Sequence, residues 1–407
     1  MAYRDDFYYL RKKFDLSKDR VDIYDGKYRI YNLPFESAHY HILPGEDSYQ
    51  DQDREFPKTP DYQNTISPEI NEILNLADSK VHENRFFKYS VFMPAGSKKA
   101  KGAIILFHGL NEKNWDKYLV WAKLLVEKTG KTVILFPLAF HINRAPADWS
   151  DMRTMNDLKY VREGLFSAVV ASSFANVAIS TRLHILPQRF FWSGVQTFYD
   201  VIQLLMEIRL GLHSLIDRDA PVDFFAYSIG AFLAQVLMMD NTGGLLGQSK
   251  LFIFCGGPVF SRMSPVRKTI LDSEANIALY SFFLEHLENY LKTDKRLAHY
   301  FSAHHPEGLV FRSMIDYHKM IDLREEKIAK LGKRLMALVL KKDSVVPYYE
   351  VLNTLQGTGR NIPVDVEIMD FDFPYTHENP FPLHPAYQPE VNRMMNKVFD
   401  IAAEYLA

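Results

Sequence analysis

One stretch of the chain places a serine as a nucleophile would have to be placed. Val222-Asp223-Phe224-Phe225-Ala226-Tyr227 has the composition of a buried strand and runs straight into Ser228. Ile229-Gly230-Ala231-Phe232-Leu233-Ala234-Gln235 then starts an apolar helix without any intervening loop. A serine hydroxyl is a poor nucleophile at neutral pH and requires exposure, a neighbouring base and a waiting anion site. A strand–Ser–helix turn supplies the first and aims backbone N–H groups and the positive helix end at a developing oxyanion. So sharp a turn demands small residues two before and two after the serine, and Ala226 and Gly230 stand there. The common pattern has glycine at both places; alanine at the first adds a single methyl. A serine that merely N-caps a structural helix has the same local sequence, so the assignment requires partners elsewhere in the chain.

Three partners are expected. His108-Gly109-Leu110 follows the apolar run Ala103–Phe107, and a turn at Gly109 lets the Leu110 N–H join that of Ile229 as an oxyanion hole. Leu335–Leu340 leads into Asp343, a carboxylate just past a strand end, where it would hold a histidine in the productive tautomer. Asp343 or Ser344 could instead cap the helix starting at Tyr348, and Asp370 and Asp372 are the reserves for the acid. Val364–Met369 precedes a loop carrying His377, 34 positions after Asp343 (377 − 343), with His384 as its rival for the base. His108, Gly109, Tyr227, His141 and Arg144 are weaker candidates for substrate contacts, Arg182 and His184 weaker still. Cys255 has no histidine motif beside it and reads as a small buried hydrophobe. The 14 histidines show no zinc-ligand spacing, so no metal is expected, and no phosphate-binding glycine loop is present.

These residues must be carried by a sheet. Phe86–Met93 alternates like a half-buried strand, and Gly102–Phe107 is a short continuous apolar run. The helical spacing of Trp115–Lys128 and the strand-like Thr132–Pro137 complete a βαβ unit, hence a parallel sheet. The same order recurs at Val222–Cys255 and at Leu335–Met369, and Glu390–Tyr405 reads as a closing helix. Two long helical insertions interrupt the sheet, at about 140–218 and 260–332, with Asn276–Leu291 strongly helical. Length alone suggests two domains; the pattern favours an extended N-terminal arm over 1–84 and one catalytic domain over 85–407. The arm, broken by five prolines, is expected to hold a few short strands and a helix near Glu69–Ala77.

The order Ser228, Asp343, His377 together with His108-Gly109 resembles the α/β-hydrolase superfamily, over about half the chain. The long caps are more similar to a bacterial branch of it than to a lipase or peptidase, and the triple-glycine oxyanion loop of hormone-sensitive-lipase-like esterases is missing. The resemblance implies a mostly parallel sheet of about eight strands flanked by helices, and cofactor-free acyl-enzyme chemistry on a small-molecule acyl substrate, an ester more than an amide. An acyltransferase using the same triad, or a binding protein that keeps the fold, are the alternatives. A histidine base must be neutral to accept the proton, so activity is expected to rise with pH through the imidazole range. Lys plus Arg (48) nearly cancels Asp plus Glu (50), which argues against nucleic acid as a partner. No apolar run is long enough for a membrane span. The start of the chain lacks the pattern of a signal peptide and there is one cysteine, so a cytoplasmic location is expected.

Overall fold

The fold is seen in a computed structural model that describes residues 2–45, 49–51, 54–56, 74, 77–96 and 99–407. In chain order the strands are β1 (Arg20–Ile23), β2 (Tyr28–Glu36), β3 (Tyr49–Asp51), β4 (Arg54–Phe56), β5 (Phe86–Pro94), β6 (Ala103–Phe107), β7 (Thr132–Leu135), β8 (Val222–Tyr227), β9 (Leu251–Phe254), β10 (Leu335–Leu340) and β11 (Asp365–Met369). β3 and β4 form a separate hairpin; the other nine make one sheet in the order β1-β2-β5-β7-β6-β8-β9-β10-β11. The six strands from β7 to β11 in that order run parallel. β5 is antiparallel to both its neighbours, and β1 pairs antiparallel with β2. This is the α/β-hydrolase architecture, a mostly parallel sheet between helical layers.

The continuous apolar runs are explained by burial on both faces: every residue of β6, β7, β8 and β9 is buried. In β8, Val222, Phe224 and Ala226 face one core layer, while Phe225 and Tyr227 face the other. The one charged residue in β8, Asp223, is balanced by Lys131 Nζ at 2.8 Å and accepts the Lys250 N–H at 2.8 Å.

Among the described residues the sheet has nine strands where about eight were expected, and β1 and β2, from the region read as an N-terminal arm, are two of them. Helix Tyr3–Lys13 packs on helices Asp116–Thr129 and Gln388–Leu406. Its Asp6 pairs with Lys123 at 3.1 Å, both buried, and accepts the Tyr24 hydroxyl at 2.6 Å. Proline misled the sequence reading here. Pro34 lies inside β2 opposite Lys88, but β1 covers β2 only as far as Tyr31, so an edge without a neighbour tolerates the missing N–H. The helix expected near Glu69–Ala77 lies outside the described residues except at Leu74 and Ala77.

Helices Met152–Leu165, Val177–Ile185 and Arg189–Arg209 lie between β7 and β8, and a second group between Ser273 and Leu331 lies between β9 and β10. The helix expected over Asn276–Leu291 is broken into Ser273–Tyr280, a π-helical segment Ser281–His286 and Leu287–Thr293. The two insertions are joined by Arg162 and Asp272, a buried pair 2.5 Å apart. Among the described residues no helix is long and apolar enough to cross a membrane.

Candidate active site

Ser228 follows the last residue of β8 with φ 56° and ψ −123°, and helix Ile229–Asp240 begins at the next residue. A non-glycine residue in this backbone region costs about 1–3 kcal/mol and is held there by its surroundings. The surroundings are tight. A Cβ on Gly230 would lie 2.7 Å from the His108 carbonyl oxygen and 2.7 Å from Phe107 Cβ, so only glycine fits. Ala226 is completely buried, in line with the demand for a small side chain two positions before the serine.

The loops after β10 and β11 bring the other two side chains to this turn. Ser228 Oγ lies 2.7 Å from His377 Nε2, and His377 Nδ1 lies 2.7 Å from Asp343 Oδ2. All three residues are buried. The second carboxylate oxygen, Asp343 Oδ1, accepts the N–H groups of Val345 and Val346, each at 2.9 Å. Asp343 therefore caps its own loop, while helix Tyr348–Leu355 starts at Pro347 without a side-chain cap. The rivals are elsewhere. His384 is exposed and accepts the Ala386 N–H; Asp370 pairs with Lys342 and Asp372 with Arg393 at the surface.

The upstream turn approaches the serine closely: a Cβ on Gly109 would lie 3.5 Å from Ser228 Cβ and 3.1 Å from the Tyr227 ring. Neither the Leu110 N–H nor the Ile229 N–H donates to an acceptor among the described residues. For Ile229 this is inherent to the first position of a helix. His108 shapes this turn from behind. It is fully buried, its Nε2 accepts the Leu138 N–H at 3.0 Å and its Nδ1 faces the Gly109 carbonyl at 2.8 Å, so the proton sits on Nδ1. Burial pushes its pKa down to about 3, keeping it neutral.

Several side chains have positions that the sequence did not disclose. The Tyr227 hydroxyl donates to the His377 carbonyl and its ring stacks on the imidazole, centroids 5.4 Å apart and 16° from parallel. Lys117 pairs with Glu112 at 2.5 Å, donates to the Glu378 carbonyl at 3.0 Å and lies over the Tyr227 ring. The Tyr118 hydroxyl accepts the Gly109 N–H at 3.0 Å and donates to Glu112 at 2.7 Å. The turn after β6 and the histidine loop are thus one hydrogen-bonded assembly. The links to the histidine loop have no sequence signature, because Tyr227 and Lys117 lie 150 and 261 positions from the carbonyls they hold.

Arg144 is not a substrate contact. It is completely buried and its guanidinium is consumed by Asp200 (2.7 Å), the Asn84 side chain and carbonyl, and the Pro137 carbonyl. Arg182 is likewise spent on Asp78 and the Leu74 carbonyl, and His184 faces Arg162. Cys255 is buried, and burial pushes its thiol pKa well up. His141 does line a cavity. Its Nδ1 faces the Ala139 carbonyl at 2.8 Å, leaving Nε2 as a buried acceptor without a partner among the described residues.

Two pockets meet at Leu110. One is almost wholly apolar and lined by Leu110, Ile229, Phe190, Phe198, Phe232 and Phe311 together with His141. The other contains Ser228 and His377 and is lined by Asn111, Glu112, Lys113, Lys117 and Glu378. Both insertions close over it: Asn111 Nδ2 donates to the carbonyls of Ala175 (2.9 Å) and Thr269 (2.8 Å).

Solved structures similar to the chain include two esterases and an α/β-hydrolase. A carboxyl esterase from the fungus Tuber melanosporum is 11% identical, with 79% of this chain and 81% of that one covered at a TM-score of 0.44. A thermostable esterase from Pseudomonas putida is 12% identical over 100% and 91% of the two chains, TM-score 0.39. A peroxisomal α/β-hydrolase from Saccharomyces cerevisiae is 10% identical over 93% and 90%, TM-score 0.39. At such values the fold stands on the strand order and directions given above. No curated protein matches the chain in sequence. One family model matches it from end to end, over residues 1–407, and the chain belongs to that family, DUF6051, a family of unknown function.

Proposed function

We propose that the protein is a serine hydrolase that cleaves a carboxylic ester of a small molecule through an acyl-enzyme intermediate. The observation that carries this reading is the continuous line Ser228 Oγ–His377 Nε2 and His377 Nδ1–Asp343 Oδ2, with both links at 2.7 Å. Neutral His377 takes the proton as Ser228 Oγ attacks the carbonyl carbon, and Asp343 steadies the imidazolium that results. The tetrahedral oxyanion is received by the N–H groups of Leu110 and Ile229, donors that have no other partner among the described residues. Each such donor is worth about 3–4 kcal/mol in the transition state. His377 then protonates the leaving alkoxide, and water repeats the sequence to free the acid.

The pockets suggest which end of the substrate goes where. The apolar cavity beside Leu110 and Ile229 suits the acyl chain, with His141 Nε2, which has no partner among the described residues, as a contact for a donor on that chain. The polar pocket suits the alcohol. There Lys113 has no carboxylate partner among the described residues, and burial lowers its pKa to about 8. A partly anionic alcohol portion would supply the missing charge.

A fluorophosphonate probe tests the reading. Labelling of the native protein that disappears in Ser228→Ala is expected, together with hydrolysis of acyl esters abolished by the same change. An unlabelled native protein whose polar pocket admits the probe would sink it.

A further inference from the structure

The sequence offers no metal-ligand spacing, yet the fold brings three suitable atoms to one point. Asp51 Oδ2, at the end of β3, lies 3.0 Å from His299 Nε2 and 2.9 Å from His305 Nε2, and the two Nε2 atoms are 3.1 Å apart. Both imidazoles are buried and come from the second insertion, His299 in helix Lys295–Tyr300 and His305 just before helix Pro306–Ser313. We infer that Asp51, His299 and His305 form a binding site for a divalent transition metal of the zinc class.

Protons alone do not satisfy this triangle. If both Nε2 atoms carry protons, two N–H groups crowd side by side at 3.1 Å. If only one does, the lone pair of the other faces a carboxylate oxygen about 3 Å away. A cation at the centre accepts all three lone pairs at once. Two imidazole nitrogens and a carboxylate are a ligand set that zinc takes at about 2.0–2.2 Å, leaving a fourth position for water. Tetrahedral ligands at that distance sit about 3.3 Å apart, so the three atoms need to move outward by only a few tenths of an ångström.

The surroundings are those of a metal-bound histidine. His305 Nδ1 lies 2.7 Å from Glu307 Oε1, which fixes the proton on Nδ1 and presents Nε2 as a lone pair. Glu307 is itself held by the Tyr199 hydroxyl at 2.6 Å, and the Tyr300 ring stacks on His305 with centroids 4.2 Å apart. The bound ion would clamp the β3–β4 hairpin to the second insertion. Through Glu307, which also lines the apolar cavity, it would brace the wall of that cavity. This inference is independent of the chemistry proposed for Ser228.

The test uses the full-length protein stripped with EDTA, titrated calorimetrically with Zn²⁺ alone and optically with Co²⁺. One equivalent of Zn²⁺ is expected, with an intense visible Co²⁺ spectrum of low coordination number and a midpoint rise of about 3 °C at a hundredfold excess over Kd. Asp51→Asn, isosteric and at a half-buried position, should abolish stoichiometric binding, and so should His305→Ala. Glu307→Gln should weaken binding about 10- to 100-fold, an effect that a merely structural hydrogen bond would not produce. Ser228→Ala and His384→Ala should bind as the native protein does. Absence of a stoichiometric site in the native protein, or binding undiminished in folded Asp51→Asn, would overturn the inference.

Discussion

Asp343→Asn separates a catalytic carboxylate from one that only caps a loop. Asn is isosteric with Asp, so the question is which way its amide points. Asp343 Oδ1 accepts two N–H groups, from Val345 and Val346, at 2.9 Å each. The amide oxygen belongs there, because turning it away would set an NH₂ group against both donors in a buried site. Each unsatisfied donor costs about 1–3 kcal/mol, roughly 2–6 kcal/mol together. The NH₂ group then points at His377 Nδ1, which must become an acceptor, and the ring proton moves to Nε2. An Nε2–H facing Ser228 Oγ cannot take its proton. Reaction is left to the disfavoured orientation, a loss of about 30-fold to 10⁴-fold at 1.4 kcal/mol per decade. The equivalent change in a serine protease costs about 10⁴-fold, which favours the upper end. The assay is kcat/KM on a chromogenic acyl ester, with the fluorophosphonate labelling rate alongside and thermal unfolding to show that the fold survives. A folded Asp343→Asn protein within about threefold of the native rate would refute the reasoning, since the two N–H anchors would then not govern the base.

Other perturbations read other parts of the structure. Arg144→Ala should destabilise by about 3–5 kcal/mol by leaving Asp200 buried and unpaired; in urea unfolding the double change with Asp200→Ala should cost less than the two separately, while KM of the folded fraction stays unchanged. His213 is buried, its Nδ1 accepts the N–H groups of Leu215 and Ile216, and burial holds its pKa down at about 4. Because the unfolded chain takes up that proton at about pH 6.5 and the folded chain does not, this contribution is complete above pH 6.5 and shrinks as pH falls toward 4. The loss amounts to about 2 kcal/mol by pH 5, and denaturant unfolding of His213→Gln at pH 5 and 7.5 should show a pH dependence smaller by that amount. Lys113→Met should raise KM for esters with an anionic alcohol while sparing neutral ones, and in the native protein the same preference should fade as pH passes about 8 and the ammonium loses its charge; equal KM values for the two ester classes at pH 7 would count against the polar pocket as the alcohol site.

The sharp turn at Ser228 was legible because its constraint is local. A sharp strand-to-helix turn forces small residues at fixed offsets, and Gly230 records the contact with the His108 carbonyl in one letter. Asp343 and His377 were legible for a weaker reason: each follows a strand, and parallel strands bring their carboxyl ends together. The order of elements therefore stands in for distance. Arg144 fails this test, since a position after a strand was right but the side chain turned into the core to meet Asp200, a partner 56 residues away. Tyr227 was placed beside the substrate, where it also lines the pocket, but its hydroxyl holds the histidine loop from a residue 150 positions on. Short strands were expected in the N-terminal region, but their place in the main sheet was not legible, because buried alternation in β2 (Tyr28, Ile30, Asn32) is diluted by Tyr, Asn and Pro, and only pairing with β5 makes the pattern visible. Asp51, His299 and His305 share no element and no spacing rule, so only folding assembles them.

The insertions do more than cover the site. Asn111, with φ 62°, follows Leu110 directly and donates to one carbonyl from each insertion, Ala175 and Thr269. The Thr269 hydroxyl reaches Glu378, the neighbour of His377, at 3.1 Å. Any shift of either insertion is therefore felt at both the Leu110 turn and the histidine loop. The apolar cavity is built from the same pieces: Phe190 and Phe198 come from the first insertion and Glu307 and Phe311 from the second, closed against the helix that begins at Ile229. Under the proposed mechanism, an insertion that shapes the apolar cavity and also holds the Leu110 turn would link substrate fit to oxyanion geometry. A substrate that fits the cavity poorly should consequently lose kcat as well as affinity, because the strain is passed through Asn111 to the donors that receive the oxyanion. Asn111→Ala should break that link, making kcat fall for every acyl chain and the dependence of kcat on chain length flatten. A chain-length series in which Asn111→Ala and the native protein keep the same relative kcat values would show that the insertions select substrate by binding alone.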